Sequence, residues 1–177
     1  MRLMCDRMLN GLARWLRAAG YDTALAGASE AAPDLSSRCL TEDRVLVTRS
    51  RRLAQAMRPQ VRTVLLIDDG LEAQALAVSG ELALDWTRAP FTRCVVDNAL
   101  LGEAADADLE RLPERSRTLP GPFRVCPACG RVYWPGSHVR RMSARLQRWR
   151  DLGERTIDLA HGRRAASASR NPDWRGS

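Results

Sequence analysis

The feature that most constrains the fold is an alternation of short apolar runs with helical patterns over the first 85 residues. Four runs predict strands, at residues 2–5, 21–25, 45–48 and 61–67. Apolar side chains at helical spacing predict helices after each strand, at residues 8–16, 33–40, 51–57 and 71–78. This order indicates βαβ units, and therefore an α/β fold in which helices flank a mainly parallel sheet.

The character of the sequence changes after Pro90. Residues 91–138 are rich in cysteine, proline and glycine, and residues 139–152 predict a helix with Met142, Leu146 and Trp149 on one face. Arginine, serine, alanine and glycine then dominate, which is typical of a disordered tail. We therefore expect an α/β domain at residues 1–90, a small module with a C-terminal helix at 91–152, and a disordered tail at 153–177.

Two classes of protein are disfavoured. The longest apolar runs fall short of the about 18 residues of a membrane span, and the first residues lack the pattern of a signal peptide. Five cysteines, an odd number without a secretion signal, argue against a disulfide framework. We expect a cytoplasmic protein.

The charge balance favours an acidic polymer as partner. The formal net charge is +7, and every one of the 28 basic residues is an arginine. Arginine binds phosphate with two parallel hydrogen bonds and stacks on bases, so RNA is a natural partner. A GC-rich genome would also explain arginine in place of lysine, but it explains the excess of positive charge less well.

Acidic residues follow the predicted strands at one edge of the sheet. Asp6 follows the first strand, Asp68 and Asp69 follow the fourth, and Asp34 lies at the start of the second helix. The carboxyl ends of parallel strands meet at one edge, where carboxylates bind Mg²⁺ or Mn²⁺. Simpler interpretations stay open: Asp6 as a helix N-cap, Asp34 as a first-turn acid, and residues 68–70 as an ordinary turn.

A second candidate metal site lies in the cysteine-rich module. Cys126 and Cys129 form a CxxC knuckle followed by glycine, which is half of a zinc site. Cys94 and Asp97 have the same spacing and would supply the other half, with His138 as a substitute ligand. The alternative is a metal-free module with buried or redox-labile thiols.

These segments together resemble the Mut-seven C-terminal RNase domain family, whose members combine a PIN-like domain with a zinc ribbon. The resemblance runs from Leu3 to about Leu146. It is carried by blocks that occur in the same order in this sequence and in the family. These blocks lie at residues 6–9, 12–17, 20–22, 44–49, 93–94 with Asn98, 126–130 and 133–138.

The resemblance implies a PIN-like fold, metal-dependent RNA cleavage and a structural zinc ion. Asp6 matches the first catalytic acid of the family, Asp34 falls near the second, and three cysteines match zinc ligands. Two departures matter: Ser50 stands where the family usually has an acid, and Asp97 stands where it has the fourth cysteine.

The leading hypothesis is a ribonuclease in which Asp6, Asp34 and Asp68 hold Mg²⁺ or Mn²⁺ while Arg49 holds a flanking phosphate. Zn²⁺ would be structural, and no small-molecule cofactor is expected. Because of Ser50, the alternative is a catalytically impaired RNA-binding module on the same fold. A third hypothesis, a protein-interaction role, has no motif in its support, and the sequence names no protein partner.

Overall fold

The first half of the chain alternates strands and helices as predicted. The structure, a computed structural model, describes the backbone of residues 1–168 and the side chains of residues 1–155. The elements are β1 Arg2–Cys5, α1 Asn10–Ala18, β2 Asp22–Leu25, α2 Ala32–Thr41, β3 Arg44–Thr48, α3 Arg51–Met57, β4 Thr63–Leu65 and α4 Leu71–Leu82. A 3-10 turn, Arg7–Leu9, joins β1 to α1.

The four strands form one parallel sheet in the order β2-β1-β3-β4. Helices cover both faces, because successive strand side chains point to opposite sides. Leu3 and Cys5 face a core shared with α1 and α4, whereas Met4 and Leu46 face a second core with α2 and α3. The predicted α/β fold with a helix-flanked parallel sheet is confirmed.

Local residue chemistry explains most of the boundaries. The Ser50 side chain caps α3 by accepting a hydrogen bond from the backbone N–H of Leu53. After α1, Gly20 has a positive φ of 95°, and a Cβ there would collide with the carbonyl oxygen of Ala89. Helix α4 was predicted to end at residue 78. It continues to Leu82 because burial of Val78, Ser79 and Leu82 outweighs the weak helix propensity of the Ser-Gly pair.

The second half contains short elements and one long helix. The elements are β5 Gly102–Glu103, α5 Asp106–Leu109, α6 Glu114–Arg117, β6 Arg124–Val125, β7 Val132–Tyr133 and α7 Ser137–Ala168. Strands β5, β6 and β7 form a small antiparallel sheet in that order. No helix among the described residues is both long and apolar enough to cross a membrane.

Helix α7 differs from the expectation in length. The helix predicted at residues 139–152 is present, but it continues to Ala168 where a disordered tail was expected from residue 153. Alanine, arginine and leucine are strong helix formers, so this composition extends a helix that packing has already nucleated. The rest of the expected tail, residues 169–177, lies outside the described residues.

Helix α7 also packs on the α/β core rather than on the cysteine-rich segment alone. Leu146 and Trp149 are fully buried in the core that contains α1 and α4. The Trp149 ring makes edge-to-face contacts with Trp15 and Trp86, at centroid distances of 4.9 and 5.0 Å. The division into domains after residue 90 stays a prediction, but this helix joins the two segments into one core.

Candidate active site and metal centre

Asp6 lies at the point in the sheet where the chain changes the side on which it adds the next strand. The chain moves from β1 to β2 on one side, and then crosses to β3 on the other side of β1. In open parallel sheets, ligands bind at the carboxyl ends of the strands that flank such a reversal. Asp6 follows β1 and Thr48 ends β3, and the Thr48 hydroxyl donates a 2.6 Å hydrogen bond to Oδ2 of Asp6. The two side chains therefore meet at the expected binding crevice.

Asp6 stands at the N-cap position of the 3-10 turn but does not act as a side-chain cap. Although Asp6 precedes the 3-10 turn, its side chain makes no capping hydrogen bond. Among the described residues, no donor other than Thr48 contacts its carboxylate. One carboxylate oxygen of this half-buried residue is therefore available to a ligand.

Ser50, which stands where the resemblance led us to expect an acid, has a structural role. Its hydroxyl caps α3, and its backbone N–H donates a 3.0 Å hydrogen bond to Oγ1 of Thr48. A chain of hydrogen bonds therefore runs from Ser50 through Thr48 to Asp6. The sequence analysis singled out Ser50 because serine carries no charge, but it did not predict that Ser50 supports Asp6 through Thr48.

The other predicted acids do not assemble around Asp6. Asp34 is exposed in the first turn of α2, and Asp68 is exposed after β4. Within the described part of the chain, Asp6, Asp34 and Asp68 do not form a compact group of ligand atoms. Asp68 and its neighbour Asp69 lie in a loop whose carbonyl oxygens both accept hydrogen bonds from Gln74.

Asp69 rather than Asp68 reaches towards β3. Its carboxylate pairs with the guanidinium of Arg49, the predicted phosphate ligand. The Nε of Arg49 is buried and has no hydrogen-bond acceptor within the described residues. A buried donor without an acceptor is costly, so this side of the site favours a ligand with oxygen acceptors.

The second site is a compact group of metal ligands. The ligand atoms of Cys94, Asp97, Cys126 and Cys129 all lie within 4.8 Å of one another. Sγ of Cys94 lies 3.8 Å from Sγ of Cys129, and Oδ2 of Asp97 lies 3.4 Å and 3.5 Å from the sulfurs of Cys94 and Cys126. A tetrahedron with Zn–S bonds of about 2.3 Å and a Zn–O bond of about 2.1 Å has S–S edges of about 3.8 Å and S–O edges of about 3.6 Å. The four donors therefore fit a tetrahedral metal ion.

The two halves of this group are equivalent turns. The N–H of Cys126 donates to the carbonyl of Arg131, and the N–H of Gly130 donates to the carbonyl of Cys126. The first half repeats both bonds, from Cys94 to Ala99 and from Asn98 to Cys94. Gly130 and Asn98 also share a left-handed φ, 67° and 65°. This equivalence places Asp97 at the position of a fourth ligand, whereas His138 is not part of the group.

The surroundings favour the anionic form of two of the four ligands, Cys94 and Asp97, and disfavour that of Cys126. Burial raises the pKa of the Cys94 thiol, but hydrogen bonds from Tyr133 and from two backbone amides outweigh burial, so that the pKa falls below its usual value. Hydrogen bonding to Cys129 is the main reason why the pKa of Asp97 is lowered. Burial raises the pKa of Cys126 to about 11. Metal binding would have to displace that proton.

Arg17 attaches this module to the sheet. Its side chain is buried, and Nε donates to the carbonyl of Thr23 in β2 at 2.8 Å. Its Nη1 donates to the carbonyls of Val95 and Val96, at 3.2 and 2.6 Å, inside the first turn. Sequence reasoning missed this role. The available signal was a charged residue one turn after Ala13 on the apolar face of α1.

Asn98 makes a second attachment. Its Oδ1 accepts a hydrogen bond from the backbone N–H of Thr23, and its Nδ2 donates to Asp22. Asp22 also forms ion pairs with Arg2, Arg44 and Arg93. The module is therefore joined to the amino ends of the strands, whereas Asp6 lies at their carboxyl ends.

A helix-flanked parallel sheet with an acid at its carboxyl edge, joined to a cysteine-rich group that could hold a metal ion, defines an α/β protein with a candidate metal-binding module. The family model of the Mut7-C RNAse domain matches residues 1–146. The chain belongs to this family, which confirms the resemblance drawn from the sequence. No curated protein and no solved structure matches the chain.

Proposed function

We propose that the protein is a divalent-metal-dependent ribonuclease that cleaves RNA phosphodiester bonds at the carboxyl edge of the sheet, around Asp6. The observation that carries this proposal is the 2.6 Å hydrogen bond from Thr48 to Asp6, between the carboxyl ends of β1 and β3 where the strand order changes direction. The family supports a ribonuclease-like function in general. The compartment expected from the sequence, the cytoplasm, stays a prediction.

Asp6 is proposed as the residue that binds the catalytic cation. Thr48 holds Oδ2, which leaves Oδ1 for a ligand without competition from another described donor. The oxygens of Asp6, Asp34 and Asp68 suit Mg²⁺ or Mn²⁺ in chemical type, but the three acids are not compactly grouped. Asp6 is therefore the primary ligand, and the exposed Asp34 and Asp68 are candidates to complete the donor set. When bound, the cation supplies an activated water and neutralises charge on the phosphate.

Arg49 is proposed to hold the phosphate next to the cleaved bond. In the structure its guanidinium pairs with Asp69, whose side chain is 87% exposed. Exposed ion pairs are weak, so a phosphate can replace Asp69 at small cost. The phosphate would also offer an acceptor to the unpaired Nε.

We further propose Zn²⁺ as the ion of the cysteine-rich group. Three thiols and one carboxylate in tetrahedral geometry are a donor set that Zn²⁺ accepts. A closed set of four protein ligands leaves no position for substrate, so the role of this ion is structural. It would hold together two turns that are far apart in sequence.

The test is digestion of labelled single-stranded RNA by the full-length protein with Mn²⁺ or Mg²⁺. Asp6→Asn should abolish cleavage, and chelation of the added cation should do the same. The matched control is Asp106→Asn, the loss of an exposed acid on α5. Cleavage that survives Asp6→Asn would refute the assignment of Asp6.

A second candidate function is RNA binding without cleavage. Two observations favour it: Ser50 uses its side chain to cap α3, and Asp6, Asp34 and Asp68 are dispersed. It predicts salt-sensitive RNA binding and no turnover by the wild type. Ser50→Asp should then restore cleavage, because aspartate keeps the N-cap and adds a carboxylate beside Asp6. Turnover by the wild type would exclude this function.

A further inference from the structure

A groove lies between α1, the small antiparallel sheet and the start of α7. Its volume is about 640 Å³, within the range of ligand-binding clefts. It is lined by the arginines 14, 115, 131 and 140 and by the aromatic residues Tyr133 and Trp134, among others. Neither the acidic edge nor the metal group accounts for this surface.

Most of the positive charge of the groove is uncompensated. None of the described residues that line it is an aspartate or a glutamate. Arg131 donates to Sγ of Cys129 and interacts electrostatically with the carboxylate of Asp97, whereas the side chain of Arg140 donates only to the carbonyl of Pro135 among the described residues. Arg14 and Arg115 are exposed and form no ion pair within the described residues. Three cations without a carboxylate partner around one concave surface favour an anionic ligand.

Trp134 gives the groove a stacking surface. Gly136 lies under the indole, since a Cβ there would be only 2.7 Å from Nε1 of Trp134. The absence of a side chain at Gly136 therefore leaves room for this half-buried ring. Trp134 also lines a smaller neighbouring cavity of about 170 Å³, so open space adjoins the ring. Its Nε1 has no hydrogen-bond partner in the part of the chain described.

We propose that this groove binds a single strand of RNA, with phosphates on Arg14 and Arg115 and a base stacked on Trp134. Arginines that follow a backbone, combined with an aromatic platform, are the combination that single-strand binding requires. An acidic protein segment would use the charges but not the ring. The inference rests on RNA being the substrate, as proposed above, and it makes the metal-binding module a substrate-holding part of the protein.

The test is fluorescence anisotropy with a labelled oligouridylate of about twelve nucleotides, a length within known single-strand site sizes. The full-length Asp6→Asn protein prevents cleavage during the measurement. The double variant Arg14→Ala/Arg115→Ala is compared with Arg58→Ala/Arg62→Ala, which removes the same charge from exposed positions outside the groove. Each lost phosphate contact lowers the slope of log affinity against log salt by about 0.7. The magnitude of this slope should therefore fall by about 1.4 in the groove variant and hardly change in the control.

The ring is tested separately. Trp134→Leu should weaken binding about tenfold, whereas Trp134→Phe should retain most of the affinity because it keeps a stacking face. Equal slopes for the two arginine pairs would overturn the inference, as would unchanged affinity of Trp134→Leu. Polyglutamate that competes as well as RNA would also overturn it, in favour of an acidic protein partner.

The outcomes separate this inference from the ribonuclease proposal. Loss of RNA binding in the groove variants supports the groove even if the wild type cleaves nothing. Conversely, if cleavage requires Asp6 but the groove variants bind RNA as tightly as the control, the ribonuclease proposal is supported and the groove is refuted.

Discussion

Replacement of Arg17 by methionine should destabilise the protein and loosen the metal-binding module together. Arg17 is 5% exposed and donates three hydrogen bonds, to the carbonyls of Thr23, Val95 and Val96. Methionine fills a similar volume but donates none. The change therefore removes the bonds that join α1 to β2 and to the first turn of the metal group, with little change in packing.

The magnitude follows from these three bonds. A hydrogen bond to a charged group contributes about 1.5–3 kcal/mol, so their simple sum is about 4.5–9 kcal/mol. Two corrections reduce it. Burial of the guanidinium is itself unfavourable, which also lowers the pKa of Arg17. The carbonyls of the half-buried Val95 and the exposed Val96 can accept water instead. We expect a loss of about 3–5 kcal/mol in the free energy of unfolding, or about 10 °C in Tm.

Urea unfolding followed by tryptophan fluorescence measures the loss, and release of zinc to a colorimetric chelator measures the state of the module. Arg14→Met is the control, because Arg14 lies on the same helix but is exposed. The control should change stability by less than about 0.5 kcal/mol. The argument is refuted if Arg17→Met costs less than about 1 kcal/mol, or if it leaves the rate of zinc release unchanged.

Three further predictions follow from single contacts. Ser50→Ala should cost about 1 kcal/mol in urea unfolding through loss of the α3 cap, whereas Ser50→Asp should cost much less; equal losses would contradict the cap. Elemental analysis should give about one zinc per chain, reduced by Cys126→Ser but not by Cys39→Ser, a buried thiol in the other core; equal zinc in both variants would reject the site. Burial raises the pKa of Asp22, but hydrogen bonds from arginine and asparagine outweigh it, so the pKa lies below its usual 3.8. This contribution is present above pH 3.8 and is lost as pH falls through the lower folded value; Asp22→Asn should therefore flatten the acid limb of stability against pH, and an unchanged limb would count against the ion pairs.

Features that depend on neighbours in sequence were predicted well. The four strands and the helices between them were correct in order and close in extent, because apolar periodicity and residues such as Ser50 and Gly20 act within a turn or two. The CxxC turn around Cys126 was equally predictable from the sequence, since its spacing places two thiols on one side of a tight turn. Membership in the Mut7-C RNAse domain family was also visible in these local blocks.

Boundaries set by packing were predicted less well. Helix α7 was predicted too short because its continuation past residue 152 follows from helix propensity added to a nucleus that Trp149 anchors in the core. The length of α4 was missed for a similar reason, since tertiary burial overrides a weak local preference.

By itself the sequence determined which residue types were available for each site: the acid after the first strand, the three cysteines with Asp97, and an excess of arginine for an anionic partner. Only the tertiary structure decided which of them meet. The strand order β2-β1-β3-β4 brings Thr48 to Asp6, and Arg17 reaches a turn that lies far along the chain. The physical reason is that such contacts depend on the crossover path and on shared burial, and periodicity along a single segment carries no information about either.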